Sequence, residues 1–179
     1  MFIFIAVSIV GLVVAVFVSS GFKEVKVKDY TIRKSEGSTI DRVRYSGTRG
    51  DRLEWELEAD KGFQLRGRDD IELTNVTVIY YMKDGAVYTM TGREGSYNAQ
   101  DEVVVIKGDV VVLSNRDDFS LKTDILSYFA ASGRISTKSR FRMTSLRADV
   151  TGRGLVMDMA REQLKVLSEV STVFKEGTI

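Results

Sequence analysis

Cysteine, histidine and proline are all missing from the 179 residues. Without cysteine there is no disulfide, no thiolate metal site and no thiol nucleophile. Without histidine there is no Ser-His-Asp chemistry, no His-ligated zinc and no imidazole base near neutral pH. Without proline, no position is barred from a strand on proline grounds. One-sided charge is lacking too: 26 Lys+Arg stand against 25 Asp+Glu, a net +1. That balance argues against a nucleic-acid binder relying on a strongly basic surface. No GxGxxG run opens a helix and no Gly-Lys-Ser/Thr phosphate loop occurs, so no cofactor is expected. The paired carboxylates Asp69-Asp70 and Asp117-Asp118 read as turn residues. The expectation is a protein that is not an enzyme. A hydrophobic share of 44% and a charged share of 28% fit a folded chain, and the length bounds it to one or two domains.

Residues 2–18 read FIFIAVSIVGLVVAVFV, and no charged residue occurs before Lys23. At about 1.5 Å per residue the stretch from there to Phe22 spans roughly 31 Å, the short end of what crosses a bilayer. It has no polar face, which argues against a buried core helix. A cleaved signal peptide is the rival, with Ser19, Ser20 and Gly21 as small residues. The apolar run is longer than a usual signal core and lacks a basic start, so a retained anchor over 1–22 is expected. Lys23, Lys26, Lys28, Arg33 and Lys34 follow the anchor. Charge alone would put the bulk of the chain in the cytoplasm. Residues 23–39 read as a juxtamembrane linker and 40–179 as the folded domain.

Beyond the anchor, alternation dominates. Leu53, Trp55, Leu57 and Ala59 alternate with Glu54, Glu56 and Glu58. Ile135, Thr137, Ser139, Phe141 and Met143 alternate with Arg134, Ser136, Lys138, Arg140 and Arg142. Such strands are buried on one face and wet on the other. Turn signals fall at Gly47–Asp51, Asp84-Gly85, Asn98–Asp101, Asn115–Asp118 and Ala130–Gly133. Spacing of this kind predicts an all-β sandwich, roll or barrel.

An internal repeat underlies the pattern. Thirteen residues after Phe63, Tyr97, Tyr128 and Met157 come Val76, Val110, Phe141 and Val170. Each of the latter is preceded by a polar residue: Asn75, Asp109, Arg140 or Glu169. The last three copies share apolar or β-branched positions at Val104 and Ile106, Ile135 and Thr137, and Leu164 and Val166. The first departs, with Ile71 and Leu73 one place later. A hairpin cannot bury its apolar face alone, whereas stacked copies can. The run Val103–Leu113 is apolar on both sides, so its strand is either central and covered or part of an interface. Gly92, Gly95, Gly152 and Gly154 are expected to serve corners.

Anchor and repeat together resemble the LptC family. The residues that carry the likeness are Trp55-Glu-Leu-Glu-Ala59, Gly95-Ser-Tyr97, Lys107-Gly-Asp-Val110, Leu121-Lys-Thr-Asp124 with Ser127-Tyr128, and Gly152-Arg-Gly154-Leu155 with Asp158. The stretch Gly95 to Tyr128 is the most diagnostic and is similar to a pattern shared with the soluble bridge protein LptA. The resemblance implies an open, twisted antiparallel β-jellyroll with a hydrophobic groove, preceded by one transmembrane helix. It implies a single-pass protein of the cell inner membrane, with its bulk in the periplasm. It also implies docking onto an LptBFG-like ABC transporter complex at the N-terminal edge and through the helix. An LptA-like protein would dock at the C-terminal edge, with lipopolysaccharide passing along the joined grooves.

A lipid carrier needs a long apolar trough, because each methylene left in water costs about 0.8 kcal/mol. The trough candidates are Trp55, Val104, Ile106, Val110, Val112, Tyr128, Ile135, Phe141, Met143, Leu164 and Val166. Ordinary core packing is the alternative for each. An open roll also leaves unpaired backbone groups at its edges, where a second chain can add a strand. The docking candidates are Leu164, Val166, Ser168 and Val170 on the last apolar strand, and Val43 and Tyr45 within Ile40–Ser46. The competing function is a membrane-anchored structural scaffold with a closed core and no lipid.

Overall fold

The computed structural model describes residues 37–175 apart from residues 66 and 117. The expected anchor over 1–22, and the linker up to residue 36, lie outside the described residues. Among the described residues no helix is long and apolar enough to cross a membrane.

Among the described residues nine antiparallel strands form a single sheet in chain order. They are β1 (Gly37–Arg49), β2 (Arg52–Leu65), β3 (Asp70–Tyr81), β4 (Val87–Asn98), β5 (Val103–Ser114), β6 (Ser120–Phe129), β7 (Arg134–Thr144), β8 (Ala148–Asp158) and β9 (Gln163–Phe174). A short 3₁₀ turn at Ala130–Ser132 links β6 to β7. The β3–β4 connection shows how local chemistry sets these hairpins. Met82 N donates to Ala86 O and Gly85 N to Met82 O, and Gly85 takes a φ of 85° that glycine alone adopts without cost. Asp84 closes the loop by accepting from Ala86 N at 3.1 Å and from Arg116 at 2.6 Å.

The sheet is folded over on itself, and a ring cluster demonstrates it. One row of the register joins Trp55, Tyr80 and Tyr88, and another joins Tyr97, Val104 and Tyr128. Tyr88 and Tyr97 lie on the same strand, about 30 Å apart at extended rise. Yet Trp55 lies 6.0 Å from Tyr97 and 6.3 Å from Tyr128, ring centre to ring centre, and Tyr80 lies 6.2 Å from Tyr128. Each strand therefore bends midway, and its two halves belong to two facing leaves. One leaf carries the β1–β2, β3–β4, β5–β6 and β7–β8 turns, and the other carries the alternate set.

The bends are written in the backbone. Arg42, Asn75, Asp109 and Glu169 have φ between 51° and 55°, with Gly108 and Gly154 at 76° and 74°. Register shifts fall at the same level in β4, β5, β6, β7 and β8. Bulges of this kind bend a strand and increase its twist. Three of the four polar residues that precede the repeat's closing apolar position are thus left-handed kink residues. Their side chains pair along the outside of the bend. Asn75 donates to Asp60 at 2.7 Å, Arg93 meets Asp109 at 3.1 Å, and Glu169 meets Arg140 at 3.4 Å and Arg153 at 3.9 Å.

The odd first copy has its cause here. Between the inward residues flanking the bend, β5 spends four residues (Ile106 to Val110), as do β7 (Thr137 to Phe141) and β9 (Val166 to Val170). β3 spends three, Leu73 to Val76, and both ends are buried. The extra residue preserves parity in the later copies, and its lack slips parity in β3. Phe63 then falls on the outer face, because its neighbours Gly62 and Gln64 pair with the buried Leu73 and Ile71. It is not equivalent to Tyr97, Tyr128 and Met157, all three of which are buried.

Candidate functional site in the interior and at the two edges

The space between the leaves is one continuous apolar core drawn from residues 43–159. Of the trough candidates, Trp55, Val104, Ile106, Val110, Val112, Tyr128, Ile135 and Phe141 are buried in it. Met143 and Val166 pack against its margin, and Leu164 is 37% exposed at its end. The structure therefore brings all eleven to one interior face. It also adds Leu57, Leu73, Met90, Leu121, Leu126 and Leu155, each 3% exposed or less. These stand on β2, β3, β4, β6 and β8. On most of those strands the inward parity slips at the bend, so a fixed spacing from the repeat misses them. Burying side chains of this size stabilises the fold by roughly 1.5–3 kcal/mol each before entropy is set against it.

Tyr128 is the polar exception. It is wholly buried, and its hydroxyl has no hydrogen-bond partner among the described residues. Burial pushes its phenol far above the ordinary tyrosine range. Burial also raises Tyr80, Tyr88 and Tyr97. Tyr81 is raised chiefly by donating its hydrogen bond to the Glu56 carboxylate. Two buried threonines are satisfied: Thr123 Oγ1 reaches Arg140 O at 2.9 Å and Thr137 Oγ1 accepts from Ser139 N at 3.0 Å.

The strand that reads as apolar on both sides, β5, is the middle strand of the nine. Its outer residues Val103 and Val105 are buried beside Phe129, Ser96 and Ser127, while Leu113 is 51% exposed. The corner glycines leave room for neighbours. A Cβ on Gly92 would lie 2.4 Å from Ile106 Cγ2, one on Gly95 2.7 Å from Val105 O, and one on Gly152 2.7 Å from Val166 Cγ1.

The two sheet edges differ. On β1, Val43 is buried in the core, while the Tyr45 ring lies 4.7 Å from Tyr97 and stays 37% exposed. On β9, Leu164 and Val166 pair with the core residues Met157 and Leu155, and Thr172 with Val150. Residues directly opposite in an antiparallel pair share a face. Leu164, Val166, Val170, Thr172 and Phe174 therefore continue the inner face, and among the described residues no further strand pairs with β9. Val170 is 61% and Phe174 80% exposed. Ser168 Oγ is held by Arg153 O at 3.1 Å. The interior is thus lined along its length and uncovered at the β9 end.

A model of the family described as "Lipopolysaccharide-assembly, LptC-related" matches residues 3–175. The chain belongs to this family. A comparison with curated proteins finds no match. Among solved structures the LptC-related chain is similar to LptH, described as the LptA homologous periplasmic component of the lipopolysaccharide transport device from Pseudomonas aeruginosa. The TM-score is 0.56 at 13% identity, covering 68% of this chain and 95% of that one. At that identity the likeness shows the fold alone: an all-β, open, jellyroll-like antiparallel sheet.

Proposed function

We propose that this LptC-related chain is a bridge subunit in lipopolysaccharide transport. Residues 1–22 tether it to the inner membrane and the jellyroll stands in the periplasm. It receives lipopolysaccharide from an ABC transporter complex, holds the acyl chains between its leaves, and passes them at the β9 edge to an LptA-like protein. The observation that carries this is the uncovered inner face of β9, which continues a predominantly apolar interior to the end of the sheet.

The interior is filled by its own side chains, with Leu57, Ile106, Leu126 and Tyr128 all at 0% exposure. Acyl chains must therefore part the leaves and exchange one set of apolar contacts for another. Such an exchange leaves few polar groups to satisfy, in keeping with transfer in small steps. The filled core is also what an anchored scaffold without a lipid ligand would have. Photocrosslinking in growing cells separates the two. A photoreactive residue at Ile106 or Phe141 should give a lipopolysaccharide adduct and one at the outward Arg142 should not. A residue at Val170 should capture a protein partner. No lipid adduct at either inward site, with the protein folded and at the membrane, would favour the scaffold.

A further inference from the structure

Charge is spread unevenly along the folded chain. Residues 120–158, which hold β6, β7 and β8, carry seven Lys+Arg against three Asp+Glu, while residues 37–119 carry 11 against 16. The register gathers the basic excess on the outer face. Lys122 stands directly opposite Arg142, and Arg140 directly opposite Arg153. All four are exposed, and Lys122, Arg140 and Arg142 flank the buried Thr123 and Phe141. Like charges directly opposite each other destabilise a strand pair, and the fold keeps two such pairs. Glu169 meets Arg140 at 3.4 Å and Arg153 at 3.9 Å, one carboxylate for two guanidiniums. The other row runs Val111, Lys122, Arg142, Thr151 and holds no carboxylate. Asp149 feels the field of Arg142 but is held by Lys175 at 2.8 Å, and the one carboxylate of β6 is the exposed Asp124. The neighbouring outward residues are small: Ser120 lies opposite Thr144, and Ser127 opposite Ser136. The basic side chains therefore rise above their floor. Register shifts at Arg140 and Arg153 put both on the bend, the convex ridge that first meets a flat surface.

We propose that this basic ridge on β6–β8 is a docking surface for the anionic phospholipid headgroups of the membrane that tethers the chain. The membrane setting rests on the tether proposed above. Fourteen residues, 23–36, separate that anchor from β1. At full extension they reach about 50 Å, against about 29 Å along the sheet from β1 to β7. The tether therefore permits the ridge to meet the bilayer. Headgroups move sideways in a bilayer and gather under whatever spacing the four cations present, whereas the fixed carboxylates of a protein would have to match it. Docking by the outer face leaves the interior and the β9 edge uncovered, so it competes with neither.

Residues 35–179 form a compact unit that contains every described strand and every core residue, so this fragment is the protein to use. It carries 21 Lys+Arg against 23 Asp+Glu, and net charge alone would repel it from an anionic vesicle. Co-sedimentation with vesicles of phosphatidylglycerol and phosphatidylcholine, mixed one to two, should nevertheless show binding at low salt. Vesicles of phosphatidylcholine alone should leave it in solution. Salt at about 1 M should release it, because the Debye length there is about 3 Å. A basic side chain near an anionic surface is worth about fivefold in binding. Lys122→Gln with Arg142→Gln should therefore weaken partitioning about 25-fold. Lys61→Gln with Lys83→Gln removes as much charge from β2 and the β3–β4 turn, and should change partitioning less than about twofold. All four residues are exposed, so the variants should fold, and circular dichroism checks it. No binding to the mixed vesicles overturns the proposal, as do equal losses from the two pairs of substitutions. A protein crosslink from residue 142 in cells without vesicle binding would assign the ridge to a protein and overturn it too. The fragment lacks residues 1–22, so the tether is read separately, by retention of the full chain in carbonate-washed membranes. Loss of that retention with vesicle binding intact overturns the tether and leaves the surface. Retention without vesicle binding sinks the surface and leaves the tether.

Discussion

Replacing Tyr128 by Phe should make the domain more stable. The side chain is wholly buried, edge-on to Trp55 and tilted against Tyr80, and its hydroxyl is unpartnered. A buried, unpaired hydroxyl costs about 1–3 kcal/mol. Its removal leaves a void of one oxygen, worth a few tenths of a kcal/mol against the gain. The net is a stabilisation of about 1–2 kcal/mol, or roughly 3–8 °C in Tm for a domain of this size. The ring contacts are unchanged, so they contribute nothing to the difference. Tyr128→Leu is the control, because it loses the ring and should cost about 2–4 kcal/mol. Thermal unfolding of the fragment 35–179 followed by circular dichroism measures all three proteins. A Tm for Tyr128→Phe equal to or below wild type would refute the reasoning, since it would mean that the hydroxyl is satisfied.

Three further outcomes follow from the same packing. Alkaline pH should unfold the domain early: with folded-state phenol pKa values raised by burial or by Glu56, stability is full below about pH 10 and falls above it. Tyr128 alone contributes a slope of about 1.4 kcal/mol per pH unit, which Tyr128→Phe should remove from a pH series of urea midpoints. Gly92→Val should cost about 1–3 kcal/mol in the same urea assay, because its Cβ would lie 2.4 Å from Ile106 Cγ2 in a full core. Asp109→Val should cost about 2 kcal/mol and Asp109→Gly less than about 1 kcal/mol, since the φ of 51° there suits glycine and opposes a β-branched residue.

Most of the architecture is legible in the alternation. Trp55, Leu57 and Ala59 against Glu54, Glu56 and Glu58 place one face inward without ambiguity, and the structure buries that face. The turn at Asp84-Gly85 is equally plain, because aspartate and glycine perform separable tasks there. What alternation does not show is that every strand bends. Asn75 and Asp109 read as polar residues beside an apolar one, and nothing in their identity alone says that φ turns positive. The parity slip at Leu73–Val76 is legible only as an irregularity of the repeat, and it hides Leu126 and Leu155 in the same way. The edges are half legible. Val170 and Phe174 can be read as exposed apolar residues of a last strand; on the first strand Val43 is buried, and Tyr45 touches Tyr97 while staying 37% exposed.

The central claim is that lipid passes between leaves that must part. Arg116 and Glu162 stand on opposite leaves at the mouth. The chain has no cysteine of its own, so Arg116→Cys and Glu162→Cys together create a unique pair. A short, cleavable thiol cross-linker across them should leave the protein folded and at the membrane but stop delivery of lipopolysaccharide to an LptA-like acceptor. Cleaving the linker should restore delivery. Undiminished delivery by the locked protein would contradict the account.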